Sequence, residues 1–326
     1  MPKKNERTAV EPQTLQEATT YFASEDNCLA SLVARRWPDG VTCPTCGSTD
    51  VTFLKNQRRW KCRVDHARRQ FSVKVGTIME DSPIPLSKWL PAIWLITNAK
   101  NGISSYELGR ALDVTQQTAW FLLHRIRYAM RTGTLERMSG QVEADETYIG
   151  GLARNMHKDK REKKITGTGG SGKTAVMGLL ERHGIDKTSK VRAKVVSNTQ
   201  RETLQGEVRK QVEAGSEVFT DAYVSYKGLD PEYVHQVIDH AEAYVNGHVH
   251  TNGIENFWSL LKRALKGTYV SVEPFHLFRY LDEESFRFNE RKVTDSERFT
   301  EVAASVAGKR LTYKQLTGKT IEPSLA

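Results

Sequence analysis

Three carboxylates carry the chemistry this sequence offers. Asp145 lies inside the run Val142-Glu143-Ala144-Asp145-Glu146-Thr147-Tyr148-Ile149, Asp221 closes Glu217-Val218-Phe219-Thr220-Asp221, and Glu255 stands near the start of a helical pattern. Two strand positions and a helix packed on the same sheet can bring such acids to one point. Gathered there, they repel one another unless divalent cations neutralise them. Two Mg2+ ions roughly 3.5–4 Å apart would clamp the attacking and leaving oxygens of a phosphodiester displacement. Lys262 follows Glu255 by about two helical turns, so it falls on the same face and offers an ammonium to phosphate. Taken singly, each acid reads as a turn or cap residue, and Glu143 and Glu146 stay closer to that reading. The joint spacing with Lys262 lifts the other three.

A second constellation is Cys43-Pro44-Thr45-Cys46-Gly47, a knuckle that presents two thiolates on a tight turn as tetrahedral zinc requires. Cys62 arrives at the distance of a second knuckle, but Asp65 stands where a fourth cysteine would, with His66 after it. The expected Zn2+ site is therefore Cys43, Cys46, Cys62 and His66, with Asp65 as the substitute ligand. The competing reading is a small hairpin that has lost its metal. Arg58 and Arg59 precede Trp60 between the knuckles, a basic and aromatic ribbon suited to DNA phosphate. Cys28 falls in a helical pattern and reads as a buried thiol.

These groups need elements to hold them. Residues Thr19–Arg36 suit one amphipathic helix, broken at Trp37-Pro38-Asp39-Gly40. Leu86–Asn98 is apolar on most faces. Ser104 or Ser105 caps a short helix, with Glu107 at capping-box distance from Ser104, and Thr115 caps a longer one carrying Trp120, Leu122, Leu123, Ile126 and Met130. Short helix, tight turn and longer helix form the helix-turn-helix pattern, with Gln116, Gln117 and Arg125 as DNA-facing candidates. An ordinary three-helix bundle gives the same pattern. From Gly140 the texture changes to three strands (142–149, 174–181, 190–197), a helix over 200–212, strands at 217–220 and 234–238, and a helix over 252–266. This order predicts an α/β core whose first three strands form an antiparallel meander. His240, His248 and His250 precede the last helix, and His250 is open to a catalytic or DNA-contacting role or to that of a loop or capping residue. Trp258 reads as core rather than as a base-stacking wedge.

The whole chain has 326 residues, room for two or three domains, with a net charge of +9 that suits a polyanionic partner. No run approaches the roughly 18 apolar residues of a membrane span. Residues 1–16 are polar and show no secretory pattern. Four cysteines in such a chain suit metal ligation or buried thiols better than disulfides. The expectation is a cytoplasmic protein.

The stretches RWPDGVTCPTCGS, QFSVKVGTIMEDSPIPL, VEADETYIGG, VFTDAYVSYKGL and HTNGIENFWSLLKRALKG make residues Phe22 to about Arg291 resemble bacterial insertion-sequence transposases of the zinc-ribbon DDE type, the ISXO-like group. The resemblance implies an RNase H-like catalytic domain at 140–292, preceded by an N-terminal tail and helix at 1–36, a zinc ribbon at 37–80 and a helix-turn-helix region at 84–133. A polar C-terminal tail with one helix would follow at 293–326. It implies an acidic triad holding two Mg2+ (or Mn2+), which nicks the ends of the element and joins the freed 3′-hydroxyl to target DNA in the nucleoid. Carried over residue by residue, the first two acids are Asp145 and Asp221. Glu255 is preferred as the third, with Asn252 as the alternative because some members carry Asn there. Lys262 and Arg263 would hold DNA beside the acids. Bringing two DNA ends together argues for a homo-oligomer, by analogy.

Two other functions compete. Gly167-Thr168-Gly169-Gly170-Ser171-Gly172-Lys173-Thr174 fits the G-x-x-x-x-G-K-[ST] loop of a P-loop NTPase. That loop must follow a buried strand and open a helix. Here a run rich in lysine and arginine precedes it and a strand pattern follows, so it reads as a basic hairpin connection. The other alternative is a DNA-binding regulator whose α/β domain is catalytically inactive.

Overall fold

The computed structural model describes residues 11–131, 136–151, 157–159, 162, 172–182, 188–221, 224–229, 232–238 and 250–318. The chain divides into two compact units, one of 1–130 with 293–326 and one of 131–292.

The first unit begins with two helices, α1 (Leu15–Phe22) and α2 (Glu25–Arg36), where the sequence suggests one. The break has a local cause: the Ser24 hydroxyl accepts the Asn27 amide and starts a new helix. A three-stranded antiparallel ribbon follows: β1 (Val51–Leu54), β2 (Arg59–Cys62) and β3 (Gln70–Phe71). Trp60 anchors it, stacked on Phe71 at 5.9 Å and edge-on to Trp37 at 5.6 Å. Helices α3 (Leu86–Asn98), α4 (Ser105–Leu112) and α5 (Gln116–Met130) keep the expected caps. Ser104 accepts the Glu107 amide at 3.1 Å and Thr115 the Thr118 amide at 3.2 Å. The turn between α4 and α5 is tight enough that a Cβ at Gly109 would lie 3.0 Å from the Val114 carbonyl.

The segment expected to be a C-terminal tail is instead part of this unit. Helix α9 (Asp295–Ala304), opened by a reciprocal Thr294/Glu297 capping box, packs on α2 and α3. Phe299 is fully buried against Phe22 at 5.2 Å and Trp94 at 5.3 Å. A short helix, α10 (Tyr313–Leu316), ends the described chain.

The second unit is one five-stranded sheet with helices on both faces. Its strands are β4 (Gln141–Ile149), β5 (Thr174–Glu181), β6 (Lys190–Val196), β7 (Glu217–Asp221) and β8 (Val234–Ile238), in the spatial order β6-β5-β4-β7-β8. The expected meander is present: β4 pairs antiparallel with β5, and β5 with β6. Beyond β4 the pairing turns parallel, β4 with β7 and β7 with β8. Helix α6 (Arg201–Gln211) covers one face, where Leu204 and Val208 meet Val142, Ala144, Met177 and Leu179. Helices α7 (Asn252–Ala264) and α8 (Leu277–Asn289) cover the other, where Ile254, Phe257, Trp258 and Leu261 meet Val176 and Leu180. The period-2 alternation of β4 and β5 sorts these residues to the two faces.

Candidate catalytic cleft and zinc centre

On β4 the residues Val142 and Ala144 point toward α6, so Glu143 and Asp145 point toward α7. The parallel pairing of β4 with β7 runs from Gln141↔Glu217 to Glu143↔Phe219 and then stops. Continued two residues, the same register puts Asp145 opposite Asp221, at the mouth of the gap where the strands part. A cavity of about 430 Å3 opens there, lined by Asp145, Glu146, Thr147, Asp221, Thr251, Glu255, Trp258, Ser259 and Lys262. Thus Asp145, Asp221, Glu255 and Lys262 lie around one cleft. Asn252, the first residue of α7, is exposed and is not part of its lining.

The electrostatics of the cleft follow from this crowding. Burial, with the charges of Asp221 and Glu255 added, pushes the Asp145 carboxyl up to about 6, against the pull of the Trp258 indole N–H. That N–H donates to Asp145 Oδ2 at 2.9 Å. Glu146, on the opposite side of the strand, is pushed up to about 7 by burial and by the charges of Asp145 and Asp221. It accepts the hydroxyl of the buried Tyr226 at 2.8 Å. Sequence spacing passes over Glu146 because neighbours on a strand face opposite ways; the parting of β4 and β7 exposes both to one cleft. Glu255 accepts the Thr251 hydroxyl at 3.0 Å.

Glu143, bland in the sequence, anchors the helix that carries Glu255 and Lys262. Its Oε2 accepts the Ile254 amide at 2.8 Å, a carboxylate placed at the N-terminus of α7. Its Oε1 accepts Arg182 Nε at 2.6 Å, and the pair is buried. Arg182 also donates to His250 Nδ1 at 2.8 Å and lies 4.3 Å over the Phe219 ring. His250 therefore joins an anchoring network at the start of α7. A Cβ at Gly253 would stand 2.9 Å from Glu143 Oε2, so this close approach requires glycine. His240 and His248 lie outside the described residues.

The cleft offers carboxylate oxygens without thiols, the donor type that hard divalent cations take, but among the described residues only the ribbon brings three or more ligand atoms to metal-binding distance of one another. In the ribbon, the ligand atoms of Cys43, Cys46, Cys62 and His66 all lie within 4.8 Å of one another. Three thiols and an imidazole so placed fit tetrahedral zinc. Asp65 is turned to solvent beside Arg69 at 3.5 Å, so the histidine rather than the aspartate completes the cluster. Cys28 is buried, as expected.

The expected DNA-facing residues divide. Arg58, Arg59, Gln117, Lys262 and Arg263 are exposed, with Arg58 paired to Asp26 at 2.8 Å. Gln116 is exposed and its amide donates to Ser105 at 2.8 Å. Arg125 is buried: its guanidinium donates to the carbonyls of Ile78 and Glu80, both at 2.8 Å, and lies 4.2 Å over Phe121. It ties the 78–80 segment to α5, which removes it from the DNA-facing set. Residues 167–171 of the glycine-rich loop lie outside the described residues. Lys173 leads directly into β5 rather than into a helix, so the helix N-terminus on which a P-loop seats its phosphates does not follow it.

Among the described residues no helix is long and apolar enough to cross a membrane. The profile of the ISXO2-like transposase domain matches residues 137–289, and that of the transposase zinc-ribbon domain matches residues 23–64. An uncharacterized protein in transposable element ISH50 of Halobacterium salinarum is 27% identical over 256 residues, covering 75% of this chain and 84% of the relative. An uncharacterized transposase-like protein of Haemophilus influenzae is 37% identical over 105 residues, covering 32% of this chain and 85% of the relative.

Proposed function

This chain belongs to the ISXO2-like transposases with a zinc ribbon, and on that premise we propose that its second unit is an RNase H-like catalytic domain that cuts and joins DNA. The convergence of Asp145, Asp221, Glu255 and Lys262 on one cleft carries this reading. The sheet supports it too, with an antiparallel meander of three strands extended by two parallel ones and helices on both faces.

Asp145, Asp221 and Glu255 would hold two Mg2+ or Mn2+ ions, with Glu255 preferred to Asn252 because it faces the cleft. When bound, the cations supply Lewis acidity at the attacking and leaving oxygens of a phosphodiester. The side chains do the rest. Lys262 binds a phosphate oxygen of the DNA strand at the rim, and Arg263 beside it adds a second contact. In the first step water attacks a phosphodiester at the end of the element, the P–O3′ bond breaks and a 3′-hydroxyl is freed. In the second that hydroxyl attacks a target phosphodiester; a new P–O bond forms and the target's own 3′-oxygen leaves with a proton. Helices α4 and α5 act as a helix-turn-helix, presenting Gln116 and Gln117 to DNA, and the zinc-loaded ribbon adds Arg58 and Arg59. Two element ends must be held together, so the working form is at least a dimer.

The test is Mg2+-dependent cleavage of element-end DNA. Asp145→Asn and Asp221→Asn should each abolish cleavage and leave DNA binding intact. Full cleavage by either variant would refute the triad. A wild-type chain that binds DNA but cuts nothing with Mg2+ or Mn2+ would point to the inactive regulator instead.

A further inference from the structure

Trp258 belongs to the packed face of α7, between Ile254 and Leu261, and its burial alone would make it a core residue. Its polar edge does something else. The indole Nε1 donates to Asp145 Oδ2 at 2.9 Å, across 113 residues of sequence. The terminal torsion of an aspartate is broad, so a carboxylate in an open cleft has no fixed plane unless a donor sets it. The indole is a donor only, rigid, and locked here by its neighbours.

The sheet is shaped to let it reach. In the β4–β5 ladder the residue directly opposite Asp145 is Gly178. A Cβ at Gly178 would lie 2.6 and 2.7 Å from two ring carbons of Trp258 and 2.8 Å from Ile254 Cδ1. The missing side chain on β5 is the space the indole fills on its way to the acid. Any side chain there would push the ring off the carboxylate.

We infer that Trp258 is a positioning residue for Asp145, fixing the plane in which its carboxylate meets a divalent cation, and that Gly178 is the residue that admits it. The inference rests on the reading of Asp145 as a cation ligand. Partners of this kind, once removed, cost about 10–100-fold in metal affinity in other sites.

The experiment is Mn2+ binding by titration calorimetry on the full chain without DNA. Trp258→Phe keeps most of the packing and removes the donor; Gly178→Ala keeps the donor and displaces it. Each should weaken Mn2+ binding about tenfold or more. Phe288→Leu, a packing change in the same cluster away from the indole, should change it less than about twofold. In 15N-labelled wild-type protein the Trp258 indole N–H resonance should shift on addition of Mg2+, which needs no variant to fold. Unchanged Mn2+ affinity in Trp258→Phe, or a resonance indifferent to Mg2+, overturns the inference. If Asp145→Asn loses the ion while Trp258→Phe keeps it, only this inference fails. If Asp145→Asn binds Mn2+ as wild type does, the cation-site reading fails and takes this inference with it.

Discussion

Asp145 and Asp221 share one register position on two parallel strands, two residues beyond the last pair, Glu143↔Phe219, at which those strands are hydrogen-bonded. The ladder brings the acids together and its ending opens room between them. Their mutual repulsion is part of what raises the Asp145 carboxyl. The same opening admits Glu146 from the other face and Glu255 from α7.

The identity of the third active-site residue is testable by a pair of variants. Glu255→Gln should reduce cleavage of element-end DNA by on the order of 10^3-fold or more, as expected when a ligand of the cations that stabilise the transition state is lost. Asn252→Ala should leave it within about fivefold. The opposite ranking in a single-turnover cleavage assay would assign the role to Asn252.

The cleft acids should make the metal-free protein sensitive to pH. The folded Asp145 carboxyl keeps its proton up to about 6, whereas the ordinary value is 3.8. Between those values the folded state binds more protons than the unfolded state, so stability falls as pH rises. The penalty is absent below the lower value and complete above the higher, on the order of 3 kcal/mol. Thermal denaturation in chelator should therefore show wild type losing stability relative to Asp145→Asn between those pH values. Mn2+ added at neutral pH should restore wild type and leave Asp145→Asn unchanged.

Zinc removal should unfold the ribbon. Metal analysis of the purified chain should find one zinc, lost in Cys62→Ser and in His66→Ala and retained in Asp65→Ala. Zinc in His66→Ala at the wild-type level, with zinc missing from Asp65→Ala, would reverse the choice of fourth ligand.

Arg125 and Arg59 should separate structure from DNA contact. Arg125→Ala strips the carbonyls of Ile78 and Glu80 of a buried donor and should cost about 2–4 kcal/mol in thermal or urea unfolding. Its folded fraction should keep the wild-type salt dependence of DNA binding. Arg59→Ala should leave stability within about 0.5 kcal/mol and lower the salt slope by about 1. A reduced slope in Arg125→Ala would return that arginine to the DNA surface.

The sequence by itself located most of the elements and the groups that could do chemistry. Short apolar or alternating runs located β4 to β8, capping residues such as Ser104 and Thr115 located α4 and α5, and cysteine spacing located the candidate zinc ligands up to the choice between Asp65 and His66. These signals are local, and a local signal survives in one dimension. What only the tertiary structure decided are relations across the chain. Phe299 sits in the core of the first unit because helix α9 packs there, and nothing near residue 299 announces Phe22 or Trp94. Arg125 looks like any exposed helical cation until carbonyls from residues 78 and 80 surround it. Glu143 and Glu146 read as ordinary strand acids until Arg182, the first turns of α7 and Tyr226 meet them. The role of a charged side chain depends on what desolvates and pairs it, and those partners come from other elements; the sequence supplied the groups, and packing chose which of them work together.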